Sequence, residues 1–248
     1  MKIAVAGGTG LVGKHVVDAA RESGHEVVVL TRGTGVDLVA GTGAEAALEG
    51  VDAVIETLNV GTPDGEAAAK FFRTACGNLL RAAEATEVGH IVSLSIVGID
   101  RNPHGYYAGK MAQEEIYTSS AAPWTIMRAT QFHEFAMQMF TRAKLGPIHL
   151  APRARTQPVA AREVGEHLVR LAEQPARGHA PDLAGPREEQ LADMTKRYAR
   201  AVGYRGPVFA VSLPGAQMKG MREGLNLPGA DAVLGTQTFD QWLQTVRR

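Results

Sequence analysis

Tyr106 and Lys110 stand four residues apart in Tyr106-Tyr107-Ala108-Gly109-Lys110. On a helix that spacing stacks both side chains on one face. An ammonium beside a phenol favours tyrosinate, so the pattern predicts a Tyr106 pKa lowered toward the range useful for proton transfer. Eleven residues before Tyr106 lies Ser95, in Ser93-Leu94-Ser95, whose hydroxyl would hold and polarise a carbonyl group.

A second constellation is Gly7-Gly8-Thr9-Gly10-Leu11-Val12-Gly13, between an apolar run and a helical stripe. It satisfies both Gly8-x-Gly10-x-x-Gly13 and Gly7-x-x-Gly10-x-x-Gly13. Glycines there permit a tight turn and let the backbone approach a pyrophosphate, while amides at the helix start face the anion. The next apolar run ends in Leu30-Thr31-Arg32. An acidic residue at that place would bind a ribose 2′-hydroxyl, whereas an arginine accommodates a 2′-phosphate. Arg32 therefore predicts NADP(H) in preference to NAD(H).

These groups need a scaffold that gathers strand ends. Short apolar runs at Ile3–Ala6, Val27–Leu30, Val51–Leu58, Ile91–Ser95 and Trp124–Met127 read as buried strands. Helical patterns alternate with them over Leu11–Glu22, Glu66–Glu87 and Tyr106–Ser119. The rhythm predicts an α/β fold, a doubly wound parallel sheet of Rossmann type, over residues 1–145. From 146 to 248 the chain is broken by Gly146-Pro147, Pro152, Pro158, Gly185-Pro186 and Gly206-Pro207. Helical stripes persist at Val164/Leu168/Leu171 and Leu191/Met194/Tyr198. This part reads as a smaller, irregular, substrate-side segment packed on the first and not independent of it.

Composition narrows the partners. Among 248 residues, 26 Lys+Arg balance 26 Asp+Glu, so neither a nucleic-acid partner nor a polybasic membrane binder is expected. No apolar stretch approaches the roughly 20 residues of a spanning helix, and no secretory pattern opens the chain. The single Cys76 excludes a disulfide framework and a cysteine zinc cluster, in keeping with a reducing, cytoplasmic setting. It lies in a helical pattern among Ala and Leu and reads as buried filler. His133-Glu134 begins like a zinc-protease motif, but Met137 stands where the second ligand belongs, so no metal site is expected. No Gly-x-Ser-x-Gly elbow occurs.

The glycine run, the mid-chain serine and Tyr106-x-x-x-Lys110 resemble the short-chain dehydrogenase/reductase superfamily. Ser95-Ile96-Val97-Gly98-Ile99-Asp100, Glu114 after Lys110, and Trp124 through Phe132 are similar to its atypical, NmrA-like NAD(P)-binding branch. Gln157-Pro158-Val159 and Leu183-Ala184-Gly185-Pro186 extend the likeness. The resemblance implies that Tyr106 donates or accepts the proton, while Lys110 binds the nicotinamide ribose and tunes Tyr106. Ser95 would orient the substrate carbonyl, with Ser93 as its alternative. It implies further that Gly7, Thr9, Gly10, Leu11, Val12, Gly13 and Arg32 hold the dinucleotide. Asp37 and Leu38, in a short third strand, would border the adenine, and Leu58 and Asn59 would line the cofactor.

Gln131, at a strand end, is a pocket candidate that would offer hydrogen bonds to a small-molecule substrate. Phe132 and Phe135 after it would line an apolar substrate pocket or pack in a helix core. Trp242 reads as the anchor of a last helix. Many relatives carry an asparagine where Phe72 aligns here. The implied activity is an NADP(H)-dependent oxidoreductase acting on a small carbonyl or quinone-like substrate. A non-catalytic NADP(H)-binding redox sensor and a nucleotide-sugar epimerase or dehydratase are the alternatives. Oligomeric state is not indicated.

Overall fold

The computed structural model describes residues 1–146 and 148–246; Pro147, expected above to break the chain, and the last two residues lie outside them. In chain order the elements are β1 (Lys2–Ala6), α1 (Leu11–Glu22), β2 (Glu26–Leu30), α2 (Ala44–Leu48), β3 (Ala53–Glu56), α3 (Gly65–Ala85), β4 (His90–Ile96), α4 (Tyr106–Thr118) and β5 (Trp124–Ala129). There follow α5 (Glu134–Arg142), β6 (Lys144–Leu145), β7 (Ile148–Pro152), β8 (Arg155–Thr156), α6 (Ala161–Ala172) and β9 (Gly178–His179). The chain closes with β10 (Leu183–Ala184), β11 (Glu189–Gln190), α7 (Leu191–Ala201), β12 (Val208–Val211), α8 (Ala216–Glu223), β13 (Val233–Leu234) and α9 (Phe239–Val246). Among the described residues no helix is long and apolar enough to cross a membrane.

Two compact units form, and they interleave along the chain. The first comprises Met1–Ser95, Pro103–Arg128 and Arg162–Pro181, so α6 and β9 join the N-terminal elements. Its strands lie in the order β5-β4-β3-β1-β2, with β9 beside β5. β2, β1, β3 and β4 are mutually parallel, which is the Rossmann-type α/β arrangement the sequence predicts. Parallel strands covered on both faces must be apolar throughout. Accordingly Ala4, Ala6, Val54 and Ile91 pack with Leu48, Phe72, Leu79 and Tyr117, while Ile3, Val5, Ile55 and Val92 are equally buried. β3 is shorter than expected because the chain leaves the sheet after Glu56. Asp37 and Leu38 form no strand: Asp37 makes one isolated bridge to Thr42, and the rest of that loop is turn.

The second unit comprises Ile96–Asn102, Ala129–Ala161 and Asp182–Arg248. It holds a three-stranded sheet, β12-β7-β6, and the pairs β11-β8 and β10-β13. Its apolar centre gathers Ala136, Met194, Tyr198, Phe239, Trp242 and Leu243. Trp242 anchors α9 there, stacked on Phe239 at 5.5 Å between centroids and donating through Nε1 to Glu134.

Helix α4 carries the Tyr–Lys pair, and its seat against α3 depends on Gly109. A Cβ on Gly109 would stand 2.5 Å from Ala68 Cβ and 2.9 Å from Ala68 C, contacts no real side chain tolerates. Gly109→Ala must therefore push the helices apart. A loss of about 1–3 kcal/mol of folding stability is expected, to be measured by denaturant unfolding.

Candidate dinucleotide and proton-transfer site

Register gathers the first unit's site segments. Ala6 of β1 pairs with Leu30 of β2 and with Glu56 of β3, and Glu56 pairs with Ser93 of β4. The glycine run, Arg32 and Leu58-Asn59 therefore leave the sheet at the same carboxyl end, where open α/β sheets bind ligands, and Ser95 lies there one residue before the end of β4.

The glycine run makes a closed turn. Gly7 has φ +80°, and the Gly10 amide donates to its carbonyl at 2.8 Å. A Cβ on Gly13 would overlap the Gly7 oxygen and come within 2.7 Å of Gly8 Cα. Only a hydrogen at Gly13 lets the first turn of α1 close on the loop. Gly10 caps α1 with no side-chain hydrogen bond and no acidic residue in the first turn, so the amides keep their positive end for an anion. Thr9, Gly10 and Leu11 are exposed at the tip, whereas Val12 is buried in the core beneath.

Arg32 is exposed and opens a short 3-10 turn, Arg32–Thr34, fixed by reciprocal Thr31 and Thr34 hydrogen bonds. Among the described residues it enters no ion pair. Asp37 is occupied locally: its Oδ1 accepts from the amides of Val39 at 2.9 Å and Ala40 at 3.0 Å. Leu38 is buried, and its carbonyl accepts from Asn78 at 2.7 Å.

Tyr106 and Lys110 share α4 but do not bond to one another. The half-buried Tyr106 hydroxyl donates to Asn59 Oδ1 at 2.7 Å. Lys110 is buried; its Nζ donates to the Leu94 carbonyl at 2.7 Å and stands 4.9 Å from the Phe72 ring centroid. The expected lowering of the Tyr106 pKa is reversed: burial pushes the phenol up, and the Glu56 carboxylate pushes it the same way. Burial pulls the Lys110 ammonium down, opposed chiefly by Glu56.

The two serines differ in kind. Ser93 donates to Glu56 Oε2 at 2.8 Å and accepts from Gln113 Nε2 at 2.9 Å. Ser95 Oγ is buried with no partner among the described residues, so of the two it is the hydroxyl left for a ligand. In the second unit, Gln131 is buried and its Oε1 accepts from Thr156 at 2.9 Å. Phe132 bridges Val159, and Phe135 is half-buried at the start of α5.

Glu56 and Gln113 were missed by the motifs. Glu56 is fully buried, accepting from the Leu58 amide at 2.6 Å and from the Gln113 side chain. A charged residue closing the apolar run Ala53-Val54-Ile55 was the available signal, since such residues are buried only when bonded. Cys76 is buried as expected but faces Glu56 and Tyr117 rather than alkyl groups alone.

A parallel sheet with a glycine turn between β1 and α1 defines a Rossmann-type dinucleotide-binding protein. Residues 7–175 match the NAD(P)H-binding family, and the chain belongs to it. No curated protein sequence matches the chain. Solved structures share its fold. An NADPH-dependent quinone oxidoreductase from Escherichia coli, complexed with NADPH, is 17% identical with a TM-score of 0.74, the match covering 99% of this chain and 100% of that one. A nucleoside-diphosphate-sugar epimerase from Staphylococcus aureus is 16% identical with a TM-score of 0.72, covering 98% and 100%. A short-chain dehydrogenase/reductase superfamily protein from Agrobacterium tumefaciens with bound NAD is 19% identical with a TM-score of 0.69, covering 100% and 96%.

The buried acids beneath the site make stability fall in alkali. Burial holds the Cys76 thiol well above its ordinary 9.0 and the Tyr117 phenol well above 10.0. The unfolded chain thus releases these protons first, and their stabilisation, full below pH 9, is lost as pH rises toward the folded values. Each such group costs about 1.4 kcal/mol per pH unit once ionised in the unfolded state. Cys76→Ala is expected to flatten the decline in unfolding free energy between pH 9 and 10.5.

Proposed function

We propose that the protein is an NADP(H)-dependent oxidoreductase acting on a small carbonyl or quinone-like substrate. The observation that carries this reading is the shared carboxyl end of the sheet, where the glycine turn and Arg32 leave it and Ser95 stands one residue before the end of β4. The residues present fit a dinucleotide: a glycine turn on which α1 closes directly, amides opening α1 with no side-chain cap, and an arginine in no ion pair among the described residues. Gly7, Thr9, Gly10, Leu11, Val12 and Gly13 would hold the pyrophosphate, and Arg32 the 2′-phosphate. Leu58 and Asn59 would line the bound molecule, and Lys110 would bind its nicotinamide ribose. Asp37 and Leu38 would contribute at the adenine through the loop they shape, since the Asp37 carboxylate and the Leu38 side chain and carbonyl are committed to folding. The nicotinamide, when bound, supplies or takes up the hydride.

The chain's own groups manage the proton. A phenol held protonated by burial is a competent acid toward a developing alkoxide, so Tyr106 is the donor once its hydroxyl turns from Asn59 to the substrate. Ser95 Oγ, with no other partner among the described residues, would donate to the same oxygen. Gln131, Phe132 and Phe135 are the proposed substrate-side residues.

A redox sensor is the second reading, favoured by Phe72 against Lys110 and by the satisfied Tyr106 hydroxyl. NADPH and NADP⁺ titrations followed by quinone and aldehyde turnover separate the two. Acceptor-dependent NADPH oxidation, reduced about 10²–10⁴-fold in Tyr106→Phe, supports the enzyme. Redox-selective binding without turnover supports the sensor, and a retained, purified NAD points to epimerase or dehydratase chemistry. Arg32→Ala should lower the NADPH-to-NADH affinity ratio about 10- to 100-fold, the worth of charge-assisted hydrogen bonds; an unchanged ratio removes Arg32 from the 2′-phosphate.

A further inference from the structure

Lys110 is 4% exposed, and its hydrogen-bond acceptor, the Leu94 carbonyl, and the Phe72 ring beside it are both neutral. A buried ammonium in such company needs a counter-charge or gives up its proton. Glu114, four residues on, does not meet that need, because Arg128 holds both of its oxygens at 2.9 and 2.7 Å. Glu56 presents the converse problem. It is a fully buried carboxylate whose donors, the Leu58 amide, the Ser93 hydroxyl and the Gln113 amide, are all uncharged.

Gln113 joins the two. Its Nε2 bonds Glu56 and Ser93 and reaches the Leu94 carbonyl at 3.3 Å, the same oxygen that accepts from Lys110. We propose that Glu56 is the positioning residue of Lys110: acting through Gln113 and the Leu94 carbonyl, it is the counter-charge that keeps the ammonium protonated and fixed on α4. The groups that act on Lys110 are Glu56 from β3, Leu94 from β4, Phe72 and Cys76 from α3, and Glu114 from its own helix. Of the two carboxylates Glu56 is the stronger opponent of burial, which agrees with this assignment. The functional meaning rests on Lys110 belonging to the cofactor site proposed above; the pairing itself does not.

The direct test follows the Lys110 Cε resonance in ¹³C-lysine-labelled protein, assigned by its loss in Lys110→Met. In folded Glu56→Gln the Lys110 titration midpoint should fall by at least about one pH unit. Ser93→Ala, which removes a donor but keeps the carboxylate, should move it less. A Glu56→Gln midpoint equal to that of the wild type overturns the proposal. Should Glu56→Gln not fold alone, stability decides instead. Lys110→Met strands the carboxylate, and Lys110→Met/Glu56→Gln should melt above Lys110→Met; a double variant no more stable than that single variant overturns the pairing. For function, the alkaline pH at which NADPH affinity declines should shift down in Glu56→Gln by the same interval as the Lys110 midpoint, and an unshifted profile overturns the positioning role. A wild type that binds no NADPH would refute the cofactor reading while the resonance and melting results still judged the pair.

Discussion

A carboxylate sealed from water must find donors for its oxygens, and Glu56 sets that condition for the whole carboxyl edge of the sheet. Its Oε1 takes the Leu58 amide and its Oε2 takes Ser93 and Gln113. These come from its own turn, from β4 and from α4, so one side chain ties three segments together. Because strand faces alternate, a one-residue slip of β3 would turn Glu56 to the other face and strand it among apolar groups. An uncompensated buried charge costs about 3–5 kcal/mol, enough to hold the register on which the alignment of Gly7, Arg32 and Ser95 depends.

Close approach does the remaining positioning. Gly13 lets α1 start directly on the glycine turn, and Gly109 lets α4 lie against Ala68 and Phe72 of α3. The second contact has a chemical consequence. It brings the Phe72 ring against Lys110 and within 6.1 Å of the Tyr106 ring, giving both polar groups an apolar wall. Burial then raises the phenol and lowers the ammonium, which keeps Tyr106 a phenol rather than a tyrosinate. The pair is tuned by its surroundings more than by its spacing.

That distinction explains what was legible in the sequence. Local periodicity and end signals located α1 at Leu11–Glu22 and began α4 at Tyr106, because both depend on nearby residues. The parallel sheet followed from alternating apolar runs. Asp37 and Leu38 do not form the short strand that the resemblance implies, because Leu38 is buried in a loop and the Asp37 carboxylate closes the turn. The direction of the Tyr106 shift was missed for a related reason. Helical spacing reports which side chains share a face, but not that Tyr106 turns to Asn59 and Lys110 to Leu94. Two-residue strands such as β8 and β11 carry too few positions for any period to register.

A chain of zero net charge must create its attraction for a polyanion locally. Arg155 is held by Glu188, Arg162 by Glu166 and Glu22, and Arg187 and Arg197 by Glu189 and Asp240. Their fields are largely cancelled within a few ångströms, and exposed pairs of this kind add little stability. Arg32 has no such partner among the described residues, and α1 starts without an acidic side chain in its first turn. A positive side chain therefore stands unpaired where β2 ends. At an ionic strength near 0.15 M its field is screened over about 8 Å, so it acts only at short range. Selectivity for a phosphate at that edge would then depend on contact geometry rather than on long-range steering.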